Sequence, residues 1–146
     1  MMVNNFSVFC DGGARGNPGP GACAFIIKNE QEKIIDQRGK YLGRTTNNVA
    51  EYSAVVEALE WIIKNQPSYQ LPTTSYHFYL DSQLVVNQLN GFFKIKNALL
   101  RELVIKVRSL ENQIPKSIIY HYIPRSANTK ADELVNQTLN RAAIKP

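Results

Sequence analysis

Residues 6–11 of this chain alternate with the period of a strand, and from Thr46 to about Asn65 the apolar residues recur at every third or fourth position. No other feature narrows the possible folds so far, because a strand and a helix bury their faces at different periods. Residues 6–11 set Phe6, Val8 and Cys10 against Ser7, Phe9 and Asp11. GACAFIIKN (21–29) and EKIIDQRGKYL (32–42) read as two further strands, with the polar residues between them marking a hairpin. From Thr46, residues Tyr52, Val55, Val56, Leu59, Ile62 and Ile63 share one helical face, which predicts a helix to about Asn65. Thr46 or Asn47 supplies its N-cap, and Pro67 and Pro72 end it. A strand over 75–81 follows, then a short helix in SQLVVNQLN stopped by Gly91, a longer helix over 97–110, and a strand over 117–123. Asn128 caps a closing helix that buries Ala131, Leu134, Val135, Leu139 and Ala142. The order βββαβααβα is a three-strand meander followed by units whose right-handed crossovers set the later strands parallel to the first. The expectation is an α/β fold with a mixed sheet.

With 146 residues, 44% apolar and 20% charged, the chain suits one compact domain over 1–146. No apolar run approaches the roughly 20 residues that span a bilayer, and MMVNNFSVF has neither the basic start nor the cleavage site of a signal peptide. A soluble, cytoplasmic protein is expected, with no membrane partner. Cys10 and Cys23 lie in apolar strand-like runs without CxxC or Cys/His spacing, so both are expected in the core as thiols. Of the net charge of +5, the segment from Lys94 to Lys116 carries +4, with six basic residues against Glu102 and Glu111. A polyanionic partner and an ordinary solvated helix face both account for that segment.

Four carboxylates stand where a fold of this kind has little use for them. Asp11 and Asp81 fall at the ends of apolar strands, and ligands of open α/β sheets collect at such ends. On neighbouring strands, about 4.8 Å apart, the two would repel unless a cation lay between them. Glu51 continues the helical stripe of Val55, Ala58 and Ile62, and Asp132 flanks Val135 and Leu139. Each has an ordinary explanation: Asp11 as a turn former, Asp81 as an N-cap, Glu51 and Asp132 as first-turn acids favoured by the helix dipole. Four such acids at one sheet edge point to a divalent metal, and their oxygens suit Mg²⁺ or Mn²⁺ over Zn²⁺.

FCDGGARGNPGPG (9–21) holds five of the eight glycines. No lysine follows as a phosphate-binding loop requires, and the GxGxxA formed by Gly19, Gly21 and Ala24 contains Pro20 and precedes a strand, so a dinucleotide site is excluded. No organic cofactor is expected. The glycines instead leave room beside Asp11 for another molecule's backbone.

DGGARGNPGPG (11–21), TTNNVAEYSAV (45–55), YLDSQLVVNQL (79–89) and NTKADELVN (128–136) resemble, in order and spacing, the four signature segments of type 1 ribonuclease H. The resemblance implies a sheet of order 3-2-1-4-5 flanked by helices, with Asp11, Glu51, Asp81 and Asp132 as catalytic acids binding two Mg²⁺ ions, or Mn²⁺. It implies hydrolysis of the RNA strand of an RNA/DNA hybrid, leaving 5′-phosphate and 3′-hydroxyl ends. Gly12, Gly13, Asn17, Asn47, Asn48 and Gln83 match substrate positions, most of them in the minor groove, and Thr46 matches a phosphate contact on the DNA strand. Lys94, Lys96 and Arg101 match no protrusion of the family; they are expected to touch the DNA strand, and of the two roles open to Phe92 and Phe93, packing beneath them or stacking on sugars, core packing is the expected one. The chain also departs from many members in having no histidine before the last acid, where Arg125 is the nearest replacement. His77 and His121 fall within strands and are expected to be structural. The branch without protrusion or loop histidine is the nearest match, and a monomer is expected. Two rivals remain, a non-catalytic nucleic-acid-binding module and a nuclease of the same fold acting on DNA or junctions.

Overall fold

The computed structural model describes residues 4–65 and 74–144. Five strands form one mixed sheet in the order β3-β2-β1-β4-β5. The strands β1 (Asn4–Ala14), β2 (Gly19–Lys28) and β3 (Ile34–Thr45) are an antiparallel meander, whereas β4 (Thr74–Leu80) and β5 (Ser117–Tyr122) run parallel to β1 and to each other. The helices are α1 (Asn47–Asn65), α2 (Gln83–Leu89), α3 (Ala98–Glu111) and α4 (Thr129–Ile144), with a single 3₁₀ turn at Arg125–Ala127. Pro67 and Pro72, expected to end α1, lie outside the described residues. No helix among the described residues is long and apolar enough to cross a membrane.

Strand alternation divides the core. Val8, Cys10, Cys23, Phe25, Tyr76 and Phe78 face α1, α2 and α3, and join Tyr52, Val55, Leu59, Val85 and Val107 in the main cluster. The opposite face of β2 gives Ala22 and Ala24 to a small cluster with Val135 and Leu139 of α4. Small residues there let α4 lie close to the sheet, as Gly39 of β3 also does beneath Thr138. Both cysteines are buried free thiols, as expected.

The glycine stretch is less open than its composition suggested. Pairing in β1 and β2 continues to Ala14↔Gly21, so the stretch forms the end of a hairpin, closed by Arg15 N–H donating to the Pro20 carbonyl at 2.8 Å. Extended backbone tolerates glycine wherever cross-strand hydrogen bonds are retained.

Candidate active site

The four acids arrive from four different elements. β1 and β4 pair in register as far as Phe9↔Tyr79, and two residues further along the chain stand Asp11, still within β1, and Asp81, just past the end of β4. Asp81 caps nothing: Ser82 is the N-cap of α2 and accepts from Val85 N–H at 3.3 Å. Glu51 lies beyond the first turn of α1, which contains no acid, while Asp132 does sit in the first turn of α4.

What brings Glu51 to the sheet is Gly12. A Cβ there would stand 2.3 Å from the carbonyl carbon of Ala50 and 2.6 Å from the Glu51 nitrogen, so only glycine lets the α1 backbone lie against β1. The space beside Asp11 expected for a foreign backbone is therefore filled, at Gly12, by the protein's own helix. Gly13 is different, since a Cβ there would meet nothing closer than Asn47 Oδ1 at 3.8 Å.

Asp11, Glu51, Asp81 and Asp132 line one cavity of about 290 Å³, together with Gly12, Gly13, Asn47 and Arg125. Burial, followed by the charges of Asp81 and Asp132, pushes the Asp11 carboxyl up from 3.8 to about 8, against the pull of the Gly12 N–H; Glu51 adds a weaker push. Burial also raises Glu51, from 4.5 to about 7; the Ser82 hydroxyl and Arg125 oppose this, and Asp81 adds to it. Near neutral pH the bare cavity thus keeps protons on groups that a cation would strip. Among the described residues no three acidic, imidazole or thiol groups close around a single point. The all-oxygen donor set that lines the cavity suits Mg²⁺ or Mn²⁺, which retain several waters.

A second cavity, of about 250 Å³, lies beside the start of α1 and is lined by Asn17, Thr46, Asn48, Asn97 and Leu99. Thr46, not Asn47, caps α1, its Oγ1 accepting from Val49 N–H at 3.3 Å. Asn47 instead accepts from Ala14 N–H at 2.9 Å, and Asn17 accepts from Asn47 N–H at 3.0 Å. With both carboxamide oxygens engaged, the NH₂ groups of Asn17 and Asn47 are what remain to a ligand. Asn97 was not foreseen at a site; it caps α3 by accepting from Leu100 N–H at 3.0 Å, and a cap was all its sequence position advertised.

Other candidates stand outside both cavities. Gln83 is exposed at the start of α2, and Lys94 and Lys96 are exposed between α2 and α3. Phe92 and Phe93, expected in the core, are 74% and 51% exposed. Gly91, at φ 78°, turns the chain outward after α2, and Ile95 packs against the core in their place. Within the basic segment Arg108 pairs with Glu111 at 3.0 Å and Lys106 with Glu60 at 3.8 Å, whereas Arg101 is exposed in the first turn of α3. His77 Nδ1 and His121 Nε2 share a hydrogen bond of 2.8 Å across β4 and β5, a structural pairing.

Asn128 departs from expectation most usefully. It occupies the residue before α4, and its carbonyl accepts from Asp132 N–H at 3.2 Å, yet its side chain turns away from the helix. The Nδ2 group donates to Cys10 O and to Asp81 Oδ2, both at 2.9 Å.

A family model described as reverse transcriptase-like matches residues 9–138. The chain is 37% identical to a bifunctional protein of Mycobacterium tuberculosis, across 91% of this chain and 35% of that protein. It is 34% identical to ribonuclease HI of Halobacterium salinarum, across 92% of this chain and 64% of that protein. The chain therefore spans less than two thirds of either relative. LC11-RNase H1, isolated from compost, superposes with a TM-score of 0.88 at 36% identity, over 97% of this chain and 99% of that one. Its structure in complex with an RNA/DNA hybrid gives 0.87 at 34% identity, over 94% and 99%.

Proposed function

Because this chain belongs to the type 1 ribonuclease H family, we propose that it hydrolyses the RNA strand of RNA/DNA hybrids with divalent metal ions held by Asp11, Glu51, Asp81 and Asp132. The observation that carries this reading is the meeting of those four acids, from β1, α1, the end of β4 and α4, in one cavity where two of them hold raised pKa values. Mg²⁺ or Mn²⁺ bound there would supply a water of lowered pKa and stabilise charge on the leaving 3′ oxygen, leaving a 5′-phosphate. Asp11, whose carboxyl feels the charges of both Asp81 and Asp132, would be a ligand of the metal.

The remaining residues bind and orient. Arg125, in the same cavity, would hold a phosphate oxygen but cannot act as a base near neutral pH. Gly13 leaves the cavity wall low beside Asp11. The NH₂ groups of Asn17 and Asn47, with Asn48 and Gln83, would read base edges and the 2′-hydroxyl across the wide minor groove of the hybrid. Thr46 Oγ1, in the neighbouring cavity, would receive a phosphate of the DNA strand, with Lys94, Lys96 and Arg101 adding charge alongside. The complex formed by LC11-RNase H1 supports the hybrid as substrate. We place the protein in the cytoplasm as a monomer, in keeping with its two reduced, buried cysteines.

The test is Mg²⁺-dependent cleavage of three substrates: a hybrid, duplex DNA and duplex RNA. The reading expects cuts in the RNA of the hybrid alone, abolished by Asp11→Asn. Tight hybrid binding without cleavage would favour the non-catalytic module, and preferential cleavage of DNA the third alternative.

A further inference from the structure

Resting on that reading, we infer that Asn128 is a positioning residue for metal binding, one that fixes the Asp81 carboxylate against the end of β1 through the two donors of its carboxamide.

The side chain is 2% exposed, and its partners leave it one orientation. Cys10 O and Asp81 Oδ2 are both acceptors, so only the NH₂ end can face them, and the assignment of nitrogen and oxygen follows from the partners' chemistry. The consequence falls on Oδ1, which is buried and finds no hydrogen-bond partner among the described residues. A buried acceptor without a donor costs stability, and the two bonds made by the NH₂ end offset that cost.

The same residue touches three of the four segments that carry acids. Its NH₂ group holds the backbone one position before Asp11 and the carboxylate of Asp81, and its carbonyl receives the N–H of Asp132 in the first turn of α4. Asp11 and Asp81 lie two residues beyond the last paired positions of the neighbouring strands β1 and β4, and as like charges there they repel. A donor locked between β1 and Asp81 keeps Asp81 from rotating out toward water, and leaves its other oxygen for a cation. Partners of this kind, which orient a ligand without touching the metal, typically change metal affinity by roughly 10–100-fold when removed.

The experiment is a Mg²⁺ titration of the substrate-free protein, followed by NMR shifts of the backbone amides near Asp11 and Asp81, in the native chain, N128S and N128A. A parallel Mg²⁺ dependence of hybrid cleavage is measured, with thermal melts in chelator as the folding control. The expected result is a Mg²⁺ dissociation constant weakened at least about tenfold in N128A and by an intermediate factor in N128S, which keeps one donor. Cleavage by N128A should recover at high Mg²⁺, because the loss is in binding. A purely structural residue would lower the melting point and leave the Mg²⁺ affinity of the folded fraction unchanged, and that result overturns the inference. If N128A does not melt cooperatively, N128S decides: native Mg²⁺ affinity there also overturns it. Should the native chain itself take up no Mg²⁺, the proposed function fails and takes this inference with it.

Discussion

The two cavities beside the start of α1 are prepared for opposite charges. The first gathers four carboxylates, burial raises the pKa of two of them, and it can relax only by taking up protons or cations. The second is lined by Asn17, Thr46, Asn48 and Asn97, side chains that carry no charge at all. In it the oxygens of Asn17, Thr46 and Asn97 are already committed to backbone N–H groups, so donors dominate what is left for a ligand. The proposed hybrid substrate would need both, since the strand to be cut requires its charge neutralised at one phosphate and the other strand must be held without chemistry. The contrast separates a site that stores electrostatic strain from one that is already satisfied.

The strongest way to break the comparison is to relieve the strain. Asp11→Asn should lower single-turnover cleavage of a hybrid by about 10³-fold or more, roughly 4 kcal/mol of transition-state stabilisation, with binding of the hybrid retained. Next in size is Gly12→Ala, which drives a methyl group into the Ala50 backbone. It should cost about 3 kcal/mol in denaturant unfolding, and cleavage should fall further than the folded fraction does, because Glu51 is carried away from β1.

The pH dependence of the metal-free protein follows from Asp11 and Glu51, whose folded pKa values of about 8 and about 7 lie above their ordinary 3.8 and 4.5. Between those limits the folded state binds more protons than the unfolded one, so stability falls as pH rises from about 4 to about 8. The loss should be on the order of several kcal/mol by chemical denaturation in chelator, less than the sum of the two shifts because the acids are coupled. Asp11→Asn should flatten that slope, and a slope of opposite sign would show that the cavity is not strained. The smallest effect is expected in the second cavity, where Asn48→Ala should raise KM for the hybrid roughly tenfold, about 1.4 kcal/mol, with kcat and the pH slope unchanged.

Much of this was legible before any coordinates. The stripe of Val55, Ala58 and Ile62 leading to Glu51 could be read because helical periodicity is set by the backbone alone, and all three are buried. The placement of Asp11 and Asp81 followed from strand ends in the same way. Other residues misled because local sequence cannot say which of two partners a side chain takes. Asn128 and Asn97 look alike as residues preceding a helix, but only Asn97 caps one, while Asn128 spends its donors on β1 and Asp81. Gly12 signalled free backbone, whereas its use is close contact with a helix some forty residues further along the chain. Phe92 and Phe93 signalled core by hydrophobicity, and the outward turn at Gly91 placed them in solvent.

The most direct measurement is calorimetric titration of Mg²⁺ into the native protein at pH 7 in two buffers of different ionisation enthalpy. With Asp11 near 8 and Glu51 near 7 in the bare cavity, uptake of the metal should release about one proton per protein, and the heats in the two buffers should differ accordingly. Identical heats, or no heat at all, would contradict the claim that these acids form a strained cation site.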